Sequence, residues 1–254
     1  MGAKWWAWLL LSLASACAVV RAPVPPVIAL LAPFEGEWRE IGYNALYSAR
    51  MALNDAGAPS ELLAVDDSST LEGAAAHARA LAANSRVRAV ILVGPFATHA
   101  STQAALGDLP AIIVGGWGAR PASPQVVQLA SPELAAAIAA ADSALHGDER
   151  LMLNYSLRLL PDAAEAVVYT SGTPPTQEFA ARYAQQGEFV PQPNPLAMLV
   201  YDAALIASQW AAGAPDFSSA AVAGRTYRFS DGYWADAPLH RLSLSADGYW
   251  EIIP

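Results

Sequence analysis

A chain of 254 residues that is 54% hydrophobic has enough apolar surface for a substantial core, so it reads as globular rather than disordered. The formal charge is −9 with only 15% charged residues, and nothing builds the basic surface that a phosphate backbone attracts. Nucleic acid is therefore excluded as an expected partner.

The first residues read as an export signal over 1–16. Lys4 supplies a positive start, 5–13 an apolar core too short for a stable membrane span, and Ala14-Ser15-Ala16 a small-residue cleavage region. Cys17 comes directly after it and is the single cysteine, so it has no disulfide partner within the chain. Leu13-Ala14-Ser15-Ala16-Cys17 matches a bacterial lipobox, in which the thiol receives a diacylglyceryl group and becomes the new N-terminus. Ala14 stands where Leu is most frequent, and plain secretion after Ala16 is the other reading. With Pro23, Pro25 and Pro26, segment 17–26 is expected to be an extended tether from a lipid membrane.

A continuous apolar run predicts a strand over 27–31, then a punctuated loop over 32–38 and a helix over 39–56. Ile41, Ala45, Ala49, Ala52 and Leu53 share one face of that helix, and Gly57 ends it. Further strands are expected over 62–65, 89–93 and 111–114, with a helix over 71–84. This alternation predicts right-handed βαβ units in a doubly wound parallel sheet, a Rossmann-like α/β fold. Ligands of such sheets bind beyond the carboxyl ends of the strands, which singles out the loops 32–38, 66–69, 94–99 and 115–123.

Later elements are strands over 126–129 and 166–169 and helices over 132–145, 176–186 and 195–212. Asn194 is the expected N-cap of the last helix and Pro195 lies in its first turn. It is apolar nearly all round but contains Asp202 and is succeeded by Gly213 and Pro215, which reads as a buried helix rather than a membrane span. The tail from Arg225 is expected to hold two or three strands, with turns at Asp231-Gly232 and Asp247-Gly248.

Three passages carry a resemblance to a known family: IALLAPFEGEWREIGYNALYSARMALNDAG over 28–57, VDDSSTLEGAAAHARALAANSRVRAVILVGPFATHASTQAA over 65–105, and PAIIVGG over 110–116. Their order resembles the type I periplasmic binding proteins of ABC importers, specifically the branched-chain amino-acid or leucine-binding-like group. Phe179 to Tyr183, Tyr201-Asp202-Ala203 and Gly224 to Phe229 fit more loosely. The resemblance implies two lobes with ligand trapped between them. The chain beyond Arg120 is too short for a second lobe of equal size, and the loss falls around 147–161. The implied division is a first lobe over 27–125, a reduced second lobe over 126–171, returning helices of the first lobe over 172–215 and C-terminal strands over 216–254. A shortened partner lobe implies little ligand-driven closure.

The resemblance also implies a ligand site on the first-lobe loops. Thr98 matches a ligand-holding hydroxyl beside Ala97, with a helix-capping role as the competing reading. Gly118 and Ala119 fall on the second ligand loop, where Ala119 departs from the usual Thr or Ser and puts an amino-acid ligand in doubt. Trp38 and Trp117 stand at loop tips that could form a stacking platform, or could simply cover the sheet edge.

Gly116, Gly118 and Pro121 have dinucleotide-fingerprint spacing, but Pro121, Ser123 and Pro124 predict no helix after it to receive a pyrophosphate. G-x-S-x-G, P-loop and H-E-x-x-H motifs are absent, and His77, His99, His146 and His240 lack metal-ligand spacing. No catalytic residue, metal or cofactor is expected. Asp66-Asp67 before Ser68, Ser69 and Thr70 reads as a capped turn, and Asp202 as a residue held by a structural hydrogen bond.

The expected function is a non-enzymatic extracytoplasmic solute-binding protein of an ABC importer, anchored through Cys17 and delivering a small polar solute such as an amino acid or amide to a permease. The alternative is an envelope interaction or sensory lipoprotein that uses the same lobe as a docking surface. A hydrolase or reductase is a third reading, which the missing motifs disfavour. A concave pocket at the loops of Trp38, Thr98 and Trp117 separates the first reading from the second.

Overall fold

A computed structural model describes residues 24–57, 59–134, 167–245 and 250–254. The expected signal, Cys17, the helix beyond residue 134, the region 147–161 and the Asp247-Gly248 turn lie outside the described residues. The first half comprises β1 (Val27–Ala32), a 3-10 turn (Gly36–Trp38), α1 (Arg39–Ala56), β2 (Glu61–Asp66), α2 (Leu71–Ala83) and β3 (Val87–Leu92). It continues through α3 (Ala100–Ala105), β4 (Ala111–Val114) and β5 (Val126–Leu129). The second half holds β6 (Val167–Thr170), α4 (Gln177–Ala184), α5 (Pro195–Ala212), β7 (Ser219–Val222), β8 (Arg225–Ser230), β9 (Tyr233–Trp234), β10 (His240–Leu244) and β11 (Trp250–Ile253).

The large sheet has the order β2-β1-β3-β4-β5-β9-β8-β7. Its strands are parallel from β2 through β5 to β9, and the β9-β8-β7 end is antiparallel. Successive residues of β1 serve opposite faces, as a strand's pleat requires. Ile28 and Leu30 join Ile91 and Ile112 in a core beneath α1 and α5, whereas Ala29 and Leu31 join Leu92, Ile113, Ala78 and Leu81 on the other side. Helices on both faces are what let these runs be apolar at every position. β2 differs from that expectation: it is an edge strand, and Leu63 is 38% exposed.

The expected stripe of α1 is buried, and Asn44 and Ser48 turn inward beside it. Gly57 closes that helix in the left-handed conformation, with φ 57°. α5 begins at Asn194, whose Oδ1 accepts from the Ala197 N–H at 3.1 Å, and it packs along α1, β3 and β4. Its Asp202 is buried, with Oδ2 accepting from the Tyr227 hydroxyl and from Arg225 Nη1. Burial pushes the Asp202 carboxyl up, against the pull of Tyr227 and Arg225. Among the described residues no helix is long and apolar enough to cross a membrane.

Two expectations from the sequence change with the fold. The strand over 126–129, expected in the second lobe, pairs in parallel with β4 in full register and so belongs to the same sheet as β1 to β4. From Arg225 onward the described residues form four strands rather than two or three, preceded by β7. β6, β10 and β11 form a separate antiparallel sheet in the order β11-β10-β6. The chain thus leaves the large sheet after β5, returns through α4, α5 and β7 to β9, and leaves again for β10.

Candidate functional site

The strand order reverses at β1, so the topological switch lies between β1 and β3. Side chains fill that point. Gly94, after β3, has φ +97°, and a Cβ on it would lie 2.9 Å from Pro33 Cδ; a Cβ on Gly42 of α1 would come within 2.0 Å of the Pro33 carbonyl oxygen. The Phe34 N–H donates to Asp66 Oδ1 at 2.6 Å, which ties the loop after β1 to the end of β2.

A cleft opens one strand further along, where the loop after β3 faces the loop after β4. It has a volume of about 350 Å³ and is lined by Thr98 and His99 on one side and Trp117 to Arg120 on the other. Gln103 of α3 holds the two sides together. Its Nε2 donates to the carbonyls of Thr98 at 2.7 Å and Arg120 at 2.9 Å, while Oε1 accepts from the Ala122 N–H at 2.8 Å. Sequence reasoning misses Gln103, because its helix gives too short a run to register.

The expected site residues separate. Trp117, Gly118 and Ala119 line the cleft; Trp38 does not, and packs half-buried against the core. The Trp117 backbone has φ 30° and its indole N–H donates to the Val114 carbonyl at 2.6 Å, which folds the ring back over the end of β4. Ala97 is fully buried in the core below the loop, a correction to its expected place on the ligand surface. Thr98 is also fully buried, and its hydroxyl donates to the Gly94 carbonyl at 2.8 Å, so the local turn has taken the hydrogen that a ligand would need. The capping reading of this loop is realised at His99, whose Nδ1 accepts from the Ser101 N–H at the start of α3.

Asp66-Asp67 does form a capped turn. Asp67 Oδ1 accepts from the Ser69 N–H at 2.8 Å, and Thr70 Oγ1 accepts from the Gly73 N–H at 3.1 Å to start α2. Asp67 is fully buried, and its Oδ2 has no hydrogen-bond partner among the described residues. Burial pushes its carboxyl up to about 6, with the Asp66 charge adding to the effect and the Ser69 and Ala97 N–H groups opposing it.

Among the described residues Arg120 is the one residue of the cleft lining that carries a fixed charge, and it has no ion-pair partner among them. Burial raises the Tyr233 hydroxyl, and the positive charge of Arg120 opposes that shift. No helix succeeds Gly116, Gly118 and Pro121; the chain passes by a turn into β5. Among the described residues no group of three or more His, Cys, Asp or Glu could hold a metal ion.

A mostly parallel eight-stranded sheet that the chain leaves and re-enters defines the type I periplasmic-binding-protein fold, and solved structures of that class superpose on nearly the whole chain. One is a possible leucine/isoleucine/valine-binding protein from Rhodopirellula baltica, with a TM-score of 0.66 and 13% identity, covering 92% of this chain and 98% of that one. Another is the branched-chain amino acid substrate-binding protein LivJ from Streptococcus pneumoniae in complex with isoleucine, at TM-score 0.61 and 12% identity, covering 90% and 99%. A third is a solute-binding protein of an ABC transporter from R. palustris in complex with benzoate, at TM-score 0.62 and 11% identity, covering 90% and 95%. No protein-family model and no curated protein matches the sequence.

Proposed function

We propose that this protein is a non-enzymatic, extracytoplasmic solute-binding protein of an ABC importer, exported by residues 1–16 and held at the membrane through Cys17. The observation that carries this reading is the cleft at the carboxyl ends of β3 and β4, walled by Trp117, on a fold shared with solute-binding proteins. A concave cleft at these loops supports solute capture over a flat docking surface. Neighbours of the same fold were solved with isoleucine and with benzoate, so the fold accommodates both amino acids and aromatic acids.

Native mass spectrometry of the freshly purified full chain, paired with a thermal-shift screen of small polar solutes, tests the reading. A bound solute at about a hundredfold its Kd stabilises the fold by about 2.7 kcal/mol, which is a rise of several degrees in midpoint. Failure of every solute to bind or shift the midpoint favours the docking alternative. Detergent partitioning tests the anchor: Cys17→Ser is expected to move the protein to the aqueous phase, and unchanged partitioning rejects lipidation.

A further inference from the structure

The segment expected to be the tether meets the domain at the amino end of the parallel sheet, and the junction is held by hydrogen bonds. The Val27 N–H donates to the Arg86 carbonyl at 2.8 Å, and the Glu61 N–H, at the start of β2, donates to the Pro26 carbonyl at 2.9 Å. Arg86 Nη2 donates to the Pro25 carbonyl at 3.3 Å and pairs with the Glu61 carboxylate. The cleft lies at the other end of the strands, about 20 Å away along the length of β3.

Arginine marks the amino end. No Asp or Glu occurs over 73–107, which carries Arg79, Arg86 and Arg88, or over 17–34, which carries Arg21. β1 and β3 keep register except at Arg88, which is inserted between Val87, opposite Val27, and Ala89, opposite Ile28. Val87 and Ala89 consequently join cores on opposite faces of the sheet, and Arg88 is turned out as the one exposed position of β3. Arg79 and Arg88 make no ion pair among the described residues. Of the acids beside these strands, Glu61 is paired with Arg86 and Asp55 with Arg182, which leaves Asp108, ahead of β4, as the opposing charge.

An anionic leaflet repels a chain at −9 and attracts only the cationic surface that comes within a Debye length, about 8 Å at physiological salt. From Cys17 to Pro25 the chain spans at most about 30 Å, so an anchored domain stays close to the leaflet. Each arginine that reaches the surface favours contact about fivefold. We propose that the amino end of the parallel sheet, around Arg79 and Arg88, rests on anionic lipid headgroups and holds the domain with its cleft open to the extracytoplasmic solution. This rests on the reading of Cys17 as a lipid anchor and adds the orientation of the anchored domain. So few arginines make a contact weak enough for the domain to turn over when it meets a permease.

The lipidated chain, reconstituted on phosphatidylcholine vesicles with and without about a third phosphatidylglycerol, tests the proposal. The vesicles carry a headgroup-bound quencher, and a fluorescent label is attached through S85C near Arg86 or A100C at the cleft, both exposed positions. With Cys17 lipidated, the introduced cysteine is the only free thiol. The ratio of quenching at 85 to quenching at 100 is expected to rise at least about twofold from neutral to anionic vesicles, and the rise to vanish in about 0.5 M salt. R79Q/R88Q is expected to abolish the rise and leave the urea midpoint unchanged, because both side chains are exposed and make no ion pair among the described residues. A ratio that is the same on the two kinds of vesicle, or a rise that R79Q/R88Q retains, overturns the proposal and leaves the anchor standing. A chain that does not float with the vesicles overturns both.

Discussion

The side-chain amide of Gln103 donates to the carbonyl of Arg120 at 2.9 Å, so α3, the six-residue helix after β3, holds the loop after β4. With its bonds to Thr98 and Ala122, one buried side chain sets the width of the cleft. Gln103→Leu keeps the volume roughly but removes all three bonds, and is expected to cost about 3 kcal/mol, at about 1 kcal/mol each. Urea unfolding gives the cost. Greater quenching of Trp117 by acrylamide would show that the loop has loosened; a change in stability below about 1 kcal/mol would contradict the stapling role.

Asp67 makes stability pH-dependent in a stated direction. Its folded pKa of about 6 is above the ordinary value of 3.8, so folding takes up a proton between those two values. The stability linked to that proton is fully present below 3.8 and is lost as the pH rises through about 6. Asp67→Asn removes the dependence. Between pH 4 and 7.5 the variant is expected to gain about 2–3 kcal/mol on the parent, read as the difference between two sets of urea midpoints. A difference that stays flat across this range would refute it.

Tyr227 supports a buried carboxylate. Its hydroxyl donates to Asp202 Oδ2, and Arg225 Nη1 reaches the same oxygen at 3.0 Å and the Tyr227 hydroxyl at 3.0 Å. Tyr227→Phe leaves the ring in place and removes a hydrogen bond to a charged acceptor, with an expected loss of about 2 kcal/mol. Pairing it with Asp202→Asn in a double-mutant cycle should return a coupling of more than about 1 kcal/mol; additivity would mean that the two groups do not act together.

Gly42 and Gly118 should respond differently to alanine. At Gly42 a Cβ would meet the Pro33 carbonyl oxygen at 2.0 Å, and the obstacle is backbone rather than a flexible side-chain end. At Gly118 nothing lies within 4 Å, and the cost is the φ of +66° alone. Gly42→Ala is expected to destabilise by about 3 kcal/mol or to fail to fold, and Gly118→Ala by about 1 kcal/mol. Thermal midpoints compare them, and equal costs would contradict the close approach of α1 to the loop after β1.

The elements with strong local signals were legible. Asn194 and Pro195 open α5 where their capping chemistry places its start, and the apolar runs of β1 and β4 are buried at every position. The site was legible only in outline. Trp117, Gly118 and Ala119 line the cleft, and so does Thr98 with its hydroxyl turned to the Gly94 carbonyl, but Ala97 is buried in the core and Trp38 stands elsewhere. A threonine in a loop has the same local signal whether its hydroxyl meets a ligand or the carbonyl four residues back.

What the sequence determined by itself was the alternation of strand and helix, because periodicity, caps and turn residues act within a few positions of one another. Tertiary structure alone decided that β5 pairs with β4 in the large sheet, that Pro33 packs against Gly94 at the switch point, and that Gln103 reaches across 17 residues to Arg120. Such choices depend on which distant groups arrive within hydrogen-bonding or packing distance after the sheet has formed. The cleft, with the positive charge of Arg120 at its edge, is the product of that assembly.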